Sequence, residues 1–185
     1  MKKIVSLLLI FATFILVLSA CGETDTGVPD GMKLIENEKV TYKLFVPENW
    51  TVNLADGVSG AYVPGDNSNV TLMIMMYSKE YQGLESFCQK YYKDMEATFK
   101  NVSAREEYTE NQKFGQLPAL KYVFTIGAEA AEGENDDNAA QYKFMQIFAL
   151  DQSTSQVYIF TYTAAAEKYS EHLDDVNKIV AEFIH

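Results

Sequence analysis

The spacing of apolar residues along this chain changes character several times, and each change predicts an element. Ile4 to Leu18 is one uncharged, almost wholly apolar run behind Lys2 and Lys3. Residues 22–31 hold Gly, Thr, Asp and Pro without periodicity and predict a tether. Val40, Tyr42, Leu44 and Val46 then alternate with Thr41, Lys43 and Phe45, predicting a half-buried strand that stops at Pro47. Two short strands are expected around Thr51–Leu54 and Gly60–Val63, divided by Asp56-Gly57 and Pro64-Gly65 turns. Val70 to Tyr77 is nearly continuous apolar, the pattern of a central strand covered on both faces.

Leu84, Phe87, Cys88, Tyr91, Tyr92, Met95 and Phe99 recur at helical spacing and predict a first helix over 81–100. Residues 102–110 alternate but carry Arg105, Glu106, Glu107 and Glu110, which places that strand near an edge, where charge discourages further pairing. Strands are expected over 117–126, 141–150 and 156–163, with a tight hairpin loop at 151–155. A closing helix is expected over 166–184, with Leu173, Val176, Ile179, Val180 and Phe183 on its apolar face. A run of strands with one helix inside it and one at its end implies an α+β fold. Its sheet is mostly antiparallel and covered by the two main helices.

The apolar leader sets the address. Its 15 residues fall short of the roughly 20 that a membrane-spanning helix needs and suit a secretory leader. It ends in Leu18-Ser19-Ala20-Cys21, which resembles the bacterial lipobox. The expectation is cleavage before Cys21 and diacylglyceryl modification of its thiol. Residues 1–20 are then a signal peptide, 21–31 a lipidated tether and 32–185 one globular domain. Two acyl chains anchor stably, at about 0.8 kcal/mol per buried CH₂. The expected location is the outer face of the cytoplasmic membrane, or an outer membrane where the source has one.

Charge narrows the partners. Cleavage removes Lys2 and Lys3 and takes the formal net charge from −11 to −13. Nucleic acid is excluded, because its binding depends on Lys and Arg displacing counterions. Adsorption to anionic head groups is disfavoured for the same reason. The expected partners are the membrane, through the lipid on Cys21, and a protein at the cell surface.

Candidate chemistry is sparse. With Cys21 consumed by lipid, Cys88 stands alone, so no intramolecular disulfide forms, and its place in an apolar helical stripe marks it as a core residue. His172 and His185 sit in no metal-binding spacing, and Gly57-Val-Ser-Gly60 misses the nucleophile elbow by one position. No cofactor fingerprint is present. The stretch 127–139 holds Glu129, Glu132, Glu134, Asp136 and Asp137 between two strong strands. Long loops are often functional, and clustered carboxylates suit Ca²⁺, so Glu132, Glu134, Asp136 and Asp137 are the metal candidates against a plain solvated hairpin tip. Tyr158, Phe160 and Tyr162 share one strand face and read as core before they read as a stacking surface.

The block Tyr42-Lys-Leu-Phe-Val-Pro-Glu-Asn-Trp50-Thr-Val52 resembles the opening of PsbP-like domains, including bacterial lipoproteins of that type. Val157-Tyr-Ile-Phe-Thr-Tyr-Thr-Ala164, followed by Tyr169 and a helix ending in Phe183, is similar to their close. The two blocks bracket almost the whole domain. The resemblance implies an α/β/α sandwich on an antiparallel sheet, with Trp50 as a structural anchor, and no catalytic residue, because this fold serves unrelated accessory and binding roles. The first functional expectation is therefore a membrane-anchored, non-enzymatic binding or accessory module. The alternative is a metal- or small-ligand-binding lipoprotein using loop 127–139, and the third is a hydrolase.

Overall fold

A computed structural model describes residues 27–185, apart from 56, 100–101, 104–106 and 128–140. Cys21 and the acidic candidates Glu132, Glu134, Asp136 and Asp137 lie outside the described residues. In chain order the strands are Met32–Leu34 (β1), Phe45–Pro47 (β2), Thr51–Ala55 (β3), Val58–Tyr62 (β4) and Asn69–Met76 (β5). Helix α1 is Leu84–Thr98. Then come Glu107–Phe114 (β6), Leu117–Gly127 (β7), Gln141–Asp151 (β8) and Gln156–Ala165 (β9). A 3₁₀ turn, Tyr169–His172, leads directly into helix α2, Leu173–Ala181.

Strands β3 to β9 form one sheet in the order β3-β4-β5-β9-β8-β7-β6, with every neighbouring pair antiparallel. The ribbon β1-β2 and helix α2 cover one face, and α1 lies on the other. The fold is α+β, with a mostly antiparallel sheet between helical layers. β9 occupies the middle of the sheet, and its side chains alternate cleanly between the two faces. Tyr158, Phe160, Tyr162 and Ala164 join the core under α2, while Val157 and Ile159 join the core under α1. The aromatic stripe is therefore packing: each of Tyr158, Phe160 and Tyr162 is 2 % exposed or less. Burial pushes the Tyr162 hydroxyl up to about 12, and it donates to the Tyr169 carbonyl at 2.9 Å.

Several boundaries differ from the sequence pattern, some for local and some for long-range reasons. The alternation over 40–46 is not one strand: only Phe45–Pro47 pairs regularly, with β1, and Lys43 makes an isolated bridge to Ile184. Tyr42 and Leu44 are buried because the segment wraps over Phe183 and Tyr158. Asn69–Met76 is interior but not central, and Met76, at the end of the strand on the same face as Leu72 and Ile74, is 68 % exposed because the cover on the α2 side stops short of it. The charged strand does sit at the sheet edge, but it runs on to Phe114 through a bulge between Thr109 and Gln112. Helix α1 begins three residues late, at the positive-φ Gly83. The last helix is four residues of 3₁₀ followed by α2, and it stops at Ala181 because Ile184 must bond Lys43.

Candidate ligand-binding face

Helix α1 covers only part of its side of the sheet. Its buried residues Phe87, Cys88 and Tyr92 stand over Tyr122, Phe124, Phe148, Val157 and Ile159. The contacts are mainly edge-to-face, Phe87 to Phe148 at 6.4 Å and Tyr92 to Phe124 at 5.8 Å between ring centres. Such pairs add roughly 0.5–1.5 kcal/mol beyond area burial. Cys88 is fully buried within this cluster, so its thiol is out of reach of solvent reactants.

Two recesses flank the helix. The first, of about 580 Å³, opens at its N-terminal end between β6, β7 and the β8-β9 hairpin. Tyr77, Lys79, Glu85, Tyr108 and Glu110 are among its lining residues, so it offers both rings and charges. The Tyr77 hydroxyl fixes its rim, accepting from the Gly83 N–H at 2.9 Å and donating to the Tyr81 carbonyl at 3.1 Å. The second, of about 350 Å³, lies under the C-terminal half of α1 and is lined by Tyr91, Met95, Phe99, Tyr142, Phe144 and Gln146, with Thr161 beside them.

From this second groove a polar row crosses the sheet in strict register. Asn53 pairs with Gly60, Gly60 with Thr71, Thr71 with Thr161, and Thr161 with Gln146. Because side chains alternate along a strand, these register partners all project to the α1 side. Asn53 is exposed, while Thr71 and Thr161 are half-buried, so solvent reaches this row beyond the helix. Gly60 leaves the middle bare, and a Cβ there would meet the Val70 carbonyl oxygen at 2.9 Å. Gln146 is 6 % exposed, and its Nε2 donates to Thr161 Oγ1 at 3.3 Å.

No family model matches the chain, and none of the curated proteins compared does either. Solved structures do match. The Ran-binding protein Mog1p of Saccharomyces cerevisiae superposes with a TM-score of 0.57 at 9 % identity, over 82 % of this chain and 94 % of that one. The cyanobacterial PsbP of Synechocystis gives 0.52 at 11 % identity, over 90 % and 98 %. LpqN of Mycobacterium tuberculosis, involved in cell envelope biogenesis, gives 0.55 at 11 % identity, over 83 % and 89 %. The fold is that of Mog1 and PsbP. At these identities the likeness concerns the fold alone, since one architecture carries many unrelated functions.

The opposite face holds a titratable cluster that the sequence pattern did not bring together. Asp66, in the β4-β5 turn, places Oδ2 2.8 Å from His172 Nε2, and Oδ1 accepts from the Ser68 N–H at 2.8 Å. Burial raises the Asp66 carboxyl, but hydrogen bonds from His172 and then Ser68 bring it below its ordinary value. Glu171 stands beside them, and the three donor groups lie within 4.8 Å of one another. As arranged they form a clasp rather than a ligand set. Both Asp66 oxygens are engaged, and the Glu171 carboxylate holds Lys168 at 2.8 and 3.1 Å. A cation would have to break those bonds. The adjacent Ser68 is 1 % exposed, so its hydroxyl cannot meet a substrate. Trp50 is 1 % exposed and sets its ring edge-on to His172 at 6.0 Å.

Proposed function

We propose that this protein is an extracytoplasmic lipoprotein, held at the membrane through Cys21, that works by binding rather than by turnover. The observation that carries the reading is the incomplete cover of the sheet by α1, which leaves recesses of about 580 and 350 Å³ beside a solvent-reaching polar row. Concave, partly apolar sites with a few polar groups are where proteins take ligands or partner side chains. The same fold occurs in a Ran-binding protein and in a protein involved in cell envelope biogenesis, which is compatible with a binding or accessory role. No helix among the described residues is long and apolar enough to cross a membrane.

Two measurements test this. Metabolic labelling with a radiolabelled fatty acid should mark the parent and not Cys21→Ala, and labelling that persists in the variant refutes the anchor. A broad hydrolase screen should find no turnover. Turnover abolished by mutating a pair of carboxylates would replace the binding reading with an enzymatic one.

A further inference from the structure

We infer that the groove under the C-terminal half of α1, together with the polar row that continues it, binds a short, uncharged oligosaccharide. This rests on reading the α1 face as the binding face and names the class of ligand for it.

Charge is the first argument. The chain is 22 % charged with a net −11, yet the described lining of this groove contains no Asp, Glu, Lys or Arg. An anion would find no cation there and a metal ion no carboxylate. The rings come second. Tyr142 is 37 % and Phe99 50 % exposed at the lip of the groove, and Tyr62, 41 % exposed, stands on the same sheet face farther along. Aromatic faces suit the C–H face of a pyranose, while its hydroxyls need uncharged donors and acceptors.

Those donors and acceptors are in place. Asn53, Thr71, Thr161 and Gln146 lie in register on one face, spanning four strand spacings of about 4.8 Å, or roughly 19 Å. That is the reach of a few linked sugars. Gln146 closes the inner end of the row: its amide stands by the Tyr91 hydroxyl and its Nε2 donates to Thr161 Oγ1 at 3.3 Å, so it orients Thr161 toward the ligand. An acyl chain would fill the apolar end but would strip water from the Asn and Thr side chains without replacing it.

The test is isothermal titration of the full-length protein with linear tetrasaccharides of glucose, mannose and N-acetylglucosamine, with decanoate as the acyl probe. At least one saccharide should bind. Gln146→Leu and Tyr142→Ala should each weaken it tenfold or more, while Tyr108→Ala, in the other recess, should leave it unchanged. Tyr142 lies on the surface, so its variant stays folded even if Gln146→Leu does not, and thermal melts check both. Silence with all three saccharides, unweakened binding in the Tyr142 variant, or displacement of the saccharide by decanoate overturns the assignment. Hydrolysis of the bound saccharide would instead keep the ligand and overturn the non-enzymatic reading.

Discussion

His172 and Asp66, 106 residues apart in sequence, are joined by a 2.8 Å contact between Nε2 and Oδ2. This contact ties the start of α2 to the turn between β4 and β5, at a depth where both side chains are largely shielded. His172→Ala should lower stability by about 1–3 kcal/mol, because it leaves a half-buried carboxylate short of a partner. Asp66→Asn, which keeps an acceptor, should cost less. Urea melts of the three proteins check the order, and equal midpoints would show that the contact contributes nothing. Trp50 is the chain's single tryptophan and packs on His172, so its emission should also shift to the red in His172→Ala as water enters.

Trp50 is 1 % exposed, and its backbone is fixed on both sides. Its N–H donates to the Pro47 carbonyl at 3.0 Å, and its own carbonyl accepts from Lys33 Nζ. Trp50→Ala should cost about 3–5 kcal/mol, as truncation of a large core side chain does. A melting temperature equal to the parent's would contradict this.

Gly115 closes the β6-β7 hairpin with φ +55°, and a Cβ there would lie 2.1 Å from the Phe183 carbonyl oxygen. Its N–H donates to the Val180 carbonyl at 2.8 Å, and the neighbouring Phe114 stacks on Phe183 at 4.0 Å. Gly115→Ala should therefore push the hairpin off the end of α2. The left-handed backbone alone costs roughly 1–2 kcal/mol, and the collision adds to it. Near-UV circular dichroism should register the lost aromatic stacking, and an unchanged spectrum would refute the account.

Asp151 organises the β8-β9 turn. Its Oδ1 accepts from the Ser153 hydroxyl at 2.7 Å and the Ser153 N–H at 2.8 Å, and Oδ2 accepts from the Thr154 hydroxyl at 2.8 Å. Those hydrogen bonds hold its carboxyl at about 2, below the ordinary 3.8. A depressed folded-state pKa stabilises above the unfolded value and is lost as pH falls through the folded one. Asp151 should thus support the fold above pH 4 and cease to do so between about 4 and 2. Melts across that window should fall more steeply for the parent than for Asp151→Asn. Parallel curves would mean that the carboxylate carries no such linkage.

Gly127 and Gln141 are register partners at the end of the β7-β8 pair, so the strands already meet there. Replacing residues 128–140 with Asn-Gly, a two-residue hairpin loop, should leave stability within about 1 kcal/mol of the parent, since closure entropy varies slowly with length. A parent that melts several degrees lower in chelator than in Ca²⁺, beside an unresponsive deletion, would instead make Glu132, Glu134, Asp136 and Asp137 a cation site.

The kinds and order of the main elements follow from the sequence alone, because each is written in local periodicity. Apolar runs of strand length mark β7, β8 and β9, and the 3.6-residue stripe of Phe87, Cys88 and Tyr92 marks α1. Charge on Glu107 and Glu110 marks an edge. These signals say which face of an element is apolar, and together they imply an α+β sandwich. They do not say what covers that face. Tertiary contacts alone recruit Met32–Leu34 as a strand, stop α2 so that Ile184 can bond Lys43, and bring His172 to Asp66. The row from Asn53 to Gln146 is likewise invisible in the chain. Asn53, Thr71, Thr161 and Gln146 are unremarkable one by one, and only the register of five strands aligns them. Register and cover are set by long-range pairing and packing, and no local pattern encodes which distant residue will supply them.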